Sequence, residues 1–345
     1  MNISVNESYV LDVLKRLLDT PSPSGFTKQA IQLVQEEANK LGIPCSLNEK
    51  GGAILTLKGQ DNSRRIALSA HVDTLGAMVR SVTAHGTLAI TSVGGFSMNS
   101  IENEYCQIHT RNGKVYTGTI LTNHPSVHVY SDARDYPRIE SNMEVRIDEL
   151  VENKEDVRKL GIQTGDFISF DARAVITPSG YIKSRHIDDK ASVAALLGLI
   201  ESSGREGWTP RHDLVFLISN YEEVGHGAAH IPDGVHEMIA VDMGAMGSDL
   251  GCKETEVSIC AKDSSGPYDY DMTTKLIELA EACGIPYAVD IYPYYGSDAS
   301  AALGAGHNIR AALIGPGVHA SHSMERTHKQ AVLNTVKLLG AYVTA

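Results

Sequence analysis

The sequence predicts an α/β protein: a mostly parallel sheet flanked by helices, with a small all-β domain inserted into it. Three observations carry that expectation. Helix-like and strand-like segments alternate at the start of the 345-residue chain and again from about residue 170 onward. The strand-like segments in those parts are continuously apolar, as in "LVFLI" and "RAALIG", which fits strands covered on both faces. Between about residues 75 and 169 helical periodicity disappears and short alternating runs take over. The α/β domain is therefore expected to be discontinuous, built from 1–74 and 170–345, with the β domain at 75–169.

In order along the chain, Val10, Val13, Leu14, Leu17 and Leu18 recur at helical spacing, and "TPSPSG" stops that helix. A second amphipathic helix is expected over roughly 27–41, ending at Gly42. Ile66 to Ala70 forms a short buried strand leading into His71. Within the inserted region "GKVYTGTIL", "SVHVYS", "MEVRID" and "DFISFD" read as strands, with Asn112-Gly113 as a hairpin turn. A helix follows Asp188; strands are expected at 214–218 and 238–241, a helix near 271–283, a strand at 310–315 and a last helix over roughly 328–343.

Bulk properties narrow the function. A net charge of −12 argues against a nucleic-acid partner, whose phosphates would be repelled. Five cysteines, odd in number and never spaced as CxxC, argue against a disulfide framework or a thiolate zinc site and for a reducing compartment. No stretch approaches the roughly 18 uninterrupted apolar residues of a membrane span. The first residues lack a signal-peptide layout. A cytoplasmic protein is expected.

The charged residues at strand ends are the informative ones. His71 ends one strand, and Asp188 with Asp189 precedes a helix, where Asp188 is placed to act at or near the N-cap. Glu222 and Glu223 lie just past "LVFLI", Asp242 follows "MIAV", and His322 lies a few residues past "RAALIG". In an open parallel sheet, functional groups gather outside the carboxyl ends of the strands. Each piece alone has a bland explanation: a structural histidine, an acidic helix cap, a solvated pair of glutamates. Together they would bring several carboxylates to one buried rim, which is costly unless cations answer them. Two divalent cations would resolve the conflict, and nitrogen and oxygen donors suit Zn2+, with Co2+ or Mn2+ as substitutes.

The segments "AHVDTLG", "HIDDKAS", "YEEVGHGA", "AVDMG", "GSDAS" and "HASHS" occur in the order seen in the tetrahedral aminopeptidases, and the chain resembles that family over almost its whole length. The resemblance implies a zinc-peptidase-like catalytic domain with a PDZ-like or barrel-like insert used for dimerisation. It implies His71, Asp188 and Asp242 around one metal and Asp188, Glu223 and His322 around a second, with Asp188 as the bridge. Asp73 would orient the His71 imidazole, and Glu222 resembles the general base that takes a proton from the attacking water. Removal of N-terminal residues from short unblocked peptides, and a homododecamer built from dimers, are further implications. The chain departs from the family's usual pattern in "HGAAH" after "EEVG", in Lys190 for an arginine, in His186, and in His319-Ala320-Ser321 where an aromatic is usual. These changes spare the proposed ligands and bear on substrate preference.

Three other functions share some of these residues. A related two-metal deacylase or carboxypeptidase would use the same ligands. A glycosidase would use Glu222 and Glu223 with carboxyl groups roughly 5 to 10 Å apart, but it leaves both histidines and both aspartates without a purpose. An inactive scaffold would be marked by a missing ligand or base, and none is missing.

Overall fold

A computed structural model of the chain describes residues 3–345. Helix α1 (Glu7–Leu18) begins where the Asn6 side chain accepts the Tyr9 N–H at 3.2 Å, and it buries the five apolar residues at helical spacing. Helix α2 (Lys28–Lys40) follows, then β1 (Cys45–Leu47), β2 (Ala53–Leu57) and β3 (Asp61–His71). The expected strand Ile66 to Ala70 is the buried part of β3. Its polar first residues are exposed but still pair with neighbouring strands, so hydrophobicity alone understates its length.

Next come β4 (Gly76–Val82), β5 (Leu88–Val93), β6 (Tyr105–His109), β7 (Val115–Thr122), β8 (Met143–Ile147), the short helix α3 (Lys154–Leu160) and β9 (Phe167–Phe170). The six strands close into a barrel in the order β4-β5-β8-β7-β6-β9, around a core that includes Val79, Ile90, Ile108, Ile120, Val145 and Ile168. Closure removes the sheet edges that would otherwise invite pairing. The Asn112-Gly113 turn joins β6 to β7, with Gly113 at φ 83°.

The expected β insert is this barrel, with one short addition and one failed strand. The addition is α3, capped by the Asn153 side chain, which accepts the N–H groups of Glu155 and Asp156. A helix of two turns is too short to announce itself by periodicity. "SVHVYS" is not a strand but part of a loop of turns between β7 and β8. Those two strands pair directly with each other, so the alternating segment has no ladder to join. His124 stacks there between Tyr130 and Tyr136, at centroid distances of 4.3 and 4.1 Å.

The chain returns through β10 (Val175–Ile176) and β11 (Tyr181–Ser184) to α4 (Ile187–Glu206), β12 (His212–Ser219), β13 (Val235–Val241), β14 (Gly244–Ala245), β15 (Val257–Asp263) and β16 (Gly266–Pro267). It ends with α5 (Tyr270–Cys283), β17 (Tyr287–Ile291), α6 (Asp298–Gly304), β18 (Arg310–Val318), β19 (Glu325–His328) and α7 (Lys329–Thr344). The main sheet runs β1-β2-β12-β3-β13-β18-β15-β16, with β17 beside β15, and its central strands β12, β3, β13 and β18 are mutually parallel. Helix α4 has no polar face from Ala191 to Ile200, because it packs against α1 and α7 as well as the sheet.

This topology positions the site. All four central strands point their carboxyl ends to one rim: β3 at His71, β12 just before the glutamate pair, β13 at Val241, and β18 at Val318. The barrel is seated beside that rim. Phe26 stacks against His109 and Phe167, and Arg185 donates to the Ser100 carbonyl and pairs with Glu104 at 3.1 Å. No helix among the described residues is long and apolar enough to cross a membrane.

Candidate metal centre

His71, the last residue of β3, is 1% exposed. Its Nδ1 lies 2.9 Å from the main-chain carbonyl of Asp73. A carbonyl can only accept, so Nδ1 carries a hydrogen, and Nε2 is the nitrogen that offers a lone pair once the ring is neutral. Nε2 is buried without a hydrogen-bond partner, 3.3 Å from Oδ1 of Asp188 and 3.6 Å from Oε2 of Glu222.

His322 repeats this arrangement from the other side. Its Nδ1 donates to the Gly95 carbonyl at 2.5 Å, which again frees Nε2. That nitrogen lies 3.4 Å from Oδ2 of Asp188 and 3.6 Å from Oε2 of Glu223. The turn puts His322 in the left-handed region, at φ 62°, a conformation that surrounding contacts must hold. Glu325 does so: its Oε1 accepts the His322 N–H at 3.0 Å, and its Oε2 accepts the Asp188 N–H at 3.1 Å.

Asp188 is not the helix N-cap. His186 occupies that position, and Asp188 and Asp189 carry non-helical backbone angles across a cis peptide bond ahead of the regular turns of α4. The backbone N–H of Asp188 is engaged by Glu325, and its carboxylate is free to face both histidines. Asp242 follows β13 directly, and its Oδ1 accepts the Met243 N–H at 2.7 Å. Strand β18 passes so close to Asp242 that a Cβ on Gly315 would overlap the Asp242 main chain, so only glycine fits there.

Glu222 and Glu223 open a single 3-10 turn after β12. Their N–H groups are both accepted by Asp73, which also receives the Ser24 hydroxyl. The short contact from Asp73 to the His71 ring is through its carbonyl; its carboxylate oxygen is 3.5 Å away.

The charges in this cluster conflict without a cation. Burial pushes Glu222 and Glu223 well above the carboxylate range, and neighbouring carboxylates push them further. Burial and the charge of Asp188 bring Asp242 up to about 7. Burial opposes the charge of His322, but Asp188 outweighs it, and the ring is pushed up to about 10. His71 moves the same way, and the two imidazoles hold Asp188 below its usual range despite its burial. Cations fit the geometry as well. Two ligands about 2.0–2.1 Å from one ion at a tetrahedral angle lie roughly 3.3–3.4 Å apart. The imidazole–Asp188 separations of 3.3 and 3.4 Å match that spacing.

All seven expected residues lie at this rim. His71, Asp188 and Glu223 bring ligand atoms within 4.8 Å of one another, and so do His71, Asp189 and Asp242. Asp189 is therefore a residue sequence reasoning passed over: one of its oxygens accepts the His71 N–H at 3.3 Å and the other is unpartnered. Glu325 and Ser24 were also missed, because their role depends on contacts across the fold. Asp298 lies in the noted "GSDAS" segment without an assigned role. It is buried with both oxygens unpartnered, and burial pushes it to about 6. Lys190 is buried and donates to the Thr20 carbonyl at 2.7 Å, and burial pushes it down to about 7. Of the extra histidines, His226 stacks on Tyr221 at 4.9 Å, His186 is buried ahead of α4, and the His319 main chain pairs with Arg326.

A parallel sheet that gathers buried imidazoles and carboxylates at its carboxyl edge is the framework of a metal-dependent hydrolase. The chain matches the family model of the M42 glutamyl aminopeptidases over residues 51–338 and belongs to that family of metallopeptidases. It is similar to "Putative aminopeptidase YhfE" of Bacillus subtilis (strain 168), with 52% identity over 334 residues covering 96% of each chain. Its fold is similar to that of the TET aminopeptidase from the marine sediment archaeon Thaumarchaeota archaeon SCGC AB-539-E09, at a TM-score of 0.89 and 19% identity, covering 98% of this chain and 96% of that one. It is also similar to the TET1 peptidase of Pyrococcus horikoshii, at a TM-score of 0.85 and 24% identity over 97% and 99% of the two chains; that peptidase can assemble into a tetrahedron or a large octahedral shell.

Proposed function

We propose that the chain is a dinuclear metal-dependent aminopeptidase that removes N-terminal residues from short peptides with a free α-amino group. The observation that carries this reading is the division of Asp188, whose two oxygens face Nε2 of His71 at 3.3 Å and Nε2 of His322 at 3.4 Å. A carboxylate with an imidazole nitrogen beside each oxygen would suit a place between two ions. His71, Asp188 and Asp242 would hold one, and Asp188, Glu223 and His322 the other. Zn2+ suits these donors, and Co2+ or Mn2+ would substitute. Bound there, two divalent cations supply polarisation of the scissile carbonyl and a more acidic water.

The proton work falls to Glu222. Its carboxylate reaches 3.6 Å from Nε2 of His71, and burial among carboxylates raises its affinity for a proton. It takes a proton from the attacking water, whose oxygen bonds to the carbonyl carbon. When the carbon–nitrogen bond breaks, Glu222 delivers that proton to the leaving nitrogen. The products are one free amino acid and a peptide with a new amino terminus. Asp73 fixes both glutamates through their N–H groups and so separates base from ligand.

Self-association is part of the proposal, with a homododecamer of dimers as the expected form. The β7–β8 loop of the barrel leaves Val127, Val129 and Ile139 exposed, and the TET1 peptidase of Pyrococcus horikoshii can assemble into a tetrahedron or a large octahedral shell. Light scattering on the purified chain tests this. The five unpaired cysteines fit work in the reducing cytoplasm.

The catalytic reading is tested with metal-stripped protein, reloaded with Zn2+ or Co2+ and given free and N-acetylated short peptides. Mass spectrometry should show metal-dependent loss of single N-terminal residues from the free peptides only. Cleavage of acetylated peptides, or release of C-terminal residues, would assign the site to the deacylase or carboxypeptidase alternative.

A further inference from the structure

We infer that the substrate cleft selects uncharged N-terminal side chains, apolar and aromatic ones first, and disfavours acidic and basic ones. The inference rests on the aminopeptidase reading and adds to it the class of residue removed.

The cleft beside the metal centre encloses about 940 Å³, enough for a short peptide. Its acidic lining groups are Asp188, Glu222, Glu223 and Asp242, all members of the metal cluster. Among the described residues no lysine or arginine lines it. The lysines of flanking segments are engaged: Lys262 donates to the Asp263 carbonyl at 2.9 Å, and Lys50 donates to the carbonyls of His226 and Gly227. Beyond the metal ions themselves, an acidic side chain would therefore meet no cation, and a basic one no carboxylate outside the metal cluster. Either would give up hydration for no partner.

What the cleft offers instead is apolar surface and room. Tyr292 packs in a buried cluster with Ala299 and Leu313, and Ala245, Leu250 and Tyr295 lie half-covered against that cluster while also lining the cleft. A second wall is α6, where Ser297, Ser300, Ala301 and Gly304 recur at helical spacing. That face carries nothing larger than serine. Small residues on α6 leave space for a bulky side chain, and the partly covered Leu250 and Tyr295 offer apolar surface that rewards its burial. The glutamyl preference in the family's name has no counterpart in this lining.

The test uses the metal-loaded full chain. Glu222→Gln is titrated calorimetrically with Leu-Gly-Gly, Phe-Gly-Gly, Glu-Gly-Gly and Lys-Gly-Gly, and wild-type turnover is measured on the same four. Leu and Phe should bind more tightly and show kcat/KM at least about tenfold above Glu and Lys, a factor expected when a charge is left unpaired. Preference for Glu or Lys, or no discrimination, overturns the inference and leaves the aminopeptidase reading standing. Absence of both binding and turnover for all four overturns the aminopeptidase reading itself. Ala301→Arg and Leu250→Arg each add a cation to one wall, and both sites are at least partly exposed. Either should raise the Glu-to-Leu ratio of kcat/KM about tenfold; an unchanged ratio in both, with folding retained, overturns the inference.

Discussion

One oxygen of the Asp73 carboxylate accepts the main-chain N–H of Glu222 at 3.1 Å. The other accepts the N–H of Glu223 at 3.2 Å and the Ser24 hydroxyl at 2.5 Å. One buried charge thus sets the entry to the turn that carries both glutamates. Asp73→Asn keeps the shape but offers a single acceptor oxygen, so one N–H is left unpaired. Metal affinity and kcat/KM should each fall about 10- to 100-fold with the circular dichroism spectrum unchanged. Unaltered metal affinity and turnover would mean that the turn holds itself.

The adjacent glutamates should separate cleanly. Glu222→Gln is expected to lower kcat by about 10²- to 10⁴-fold and to retain its full metal content. Glu223→Gln should instead lose metal, measured by elemental analysis after gel filtration. The reverse pattern would exchange their roles.

Metal binding should release protons. Without cations, the charge of Asp188 holds His322 up to about 10 and His71 well above its ordinary value, so both rings carry protons at neutral pH. A cation needs the Nε2 lone pairs, and those protons must leave. Apparent affinity for Zn2+ should therefore rise with pH across the neutral range. Calorimetry in two buffers of different ionisation enthalpy would count the protons, and no release at pH 7 would refute the coupling.

Acid should loosen the contact between barrel and sheet through His109. Burial pushes this ring down to about 4 from 6.5. The unfolded chain takes up the proton first as pH falls, so the stability this group contributes is whole above pH 6.5 and lost as pH drops toward 4. His109→Gln should flatten the decline of Tm between those values. Parallel Tm profiles would remove His109 from the account.

How far the sequence spoke depended on how local each signal was. The runs "LVFLI" and "RAALIG" are strands because both faces are buried, and that burial is written in their composition. His71, Glu222 and Asp242 could be placed because each lies at or just beyond a strand's end. Glu325 could not: nothing near it shows that β19 will bring it under both Asp188 and His322. Asp189 was hidden by its neighbour, because one acidic residue before a helix looks like the other until the backbone turns them apart. "SVHVYS" misled because alternation reports a pattern of side chains and says nothing about whether a partner strand is left to pair with it.

The carbonyl that steadies His322 belongs to Gly95, in the loop after β5. That loop is part of the barrel, while His322 belongs to the sheet. The insert is thus no detachable accessory: cut it out and one imidazole is free to spin. Under the proposed assembly and metal site, a subunit contact that tilts the barrel would be geared, through one oxygen atom, to the aim of the His322 Nε2. Assembly and chemistry would then be tuned by the same few residues, and a change that improves one is answerable to the other.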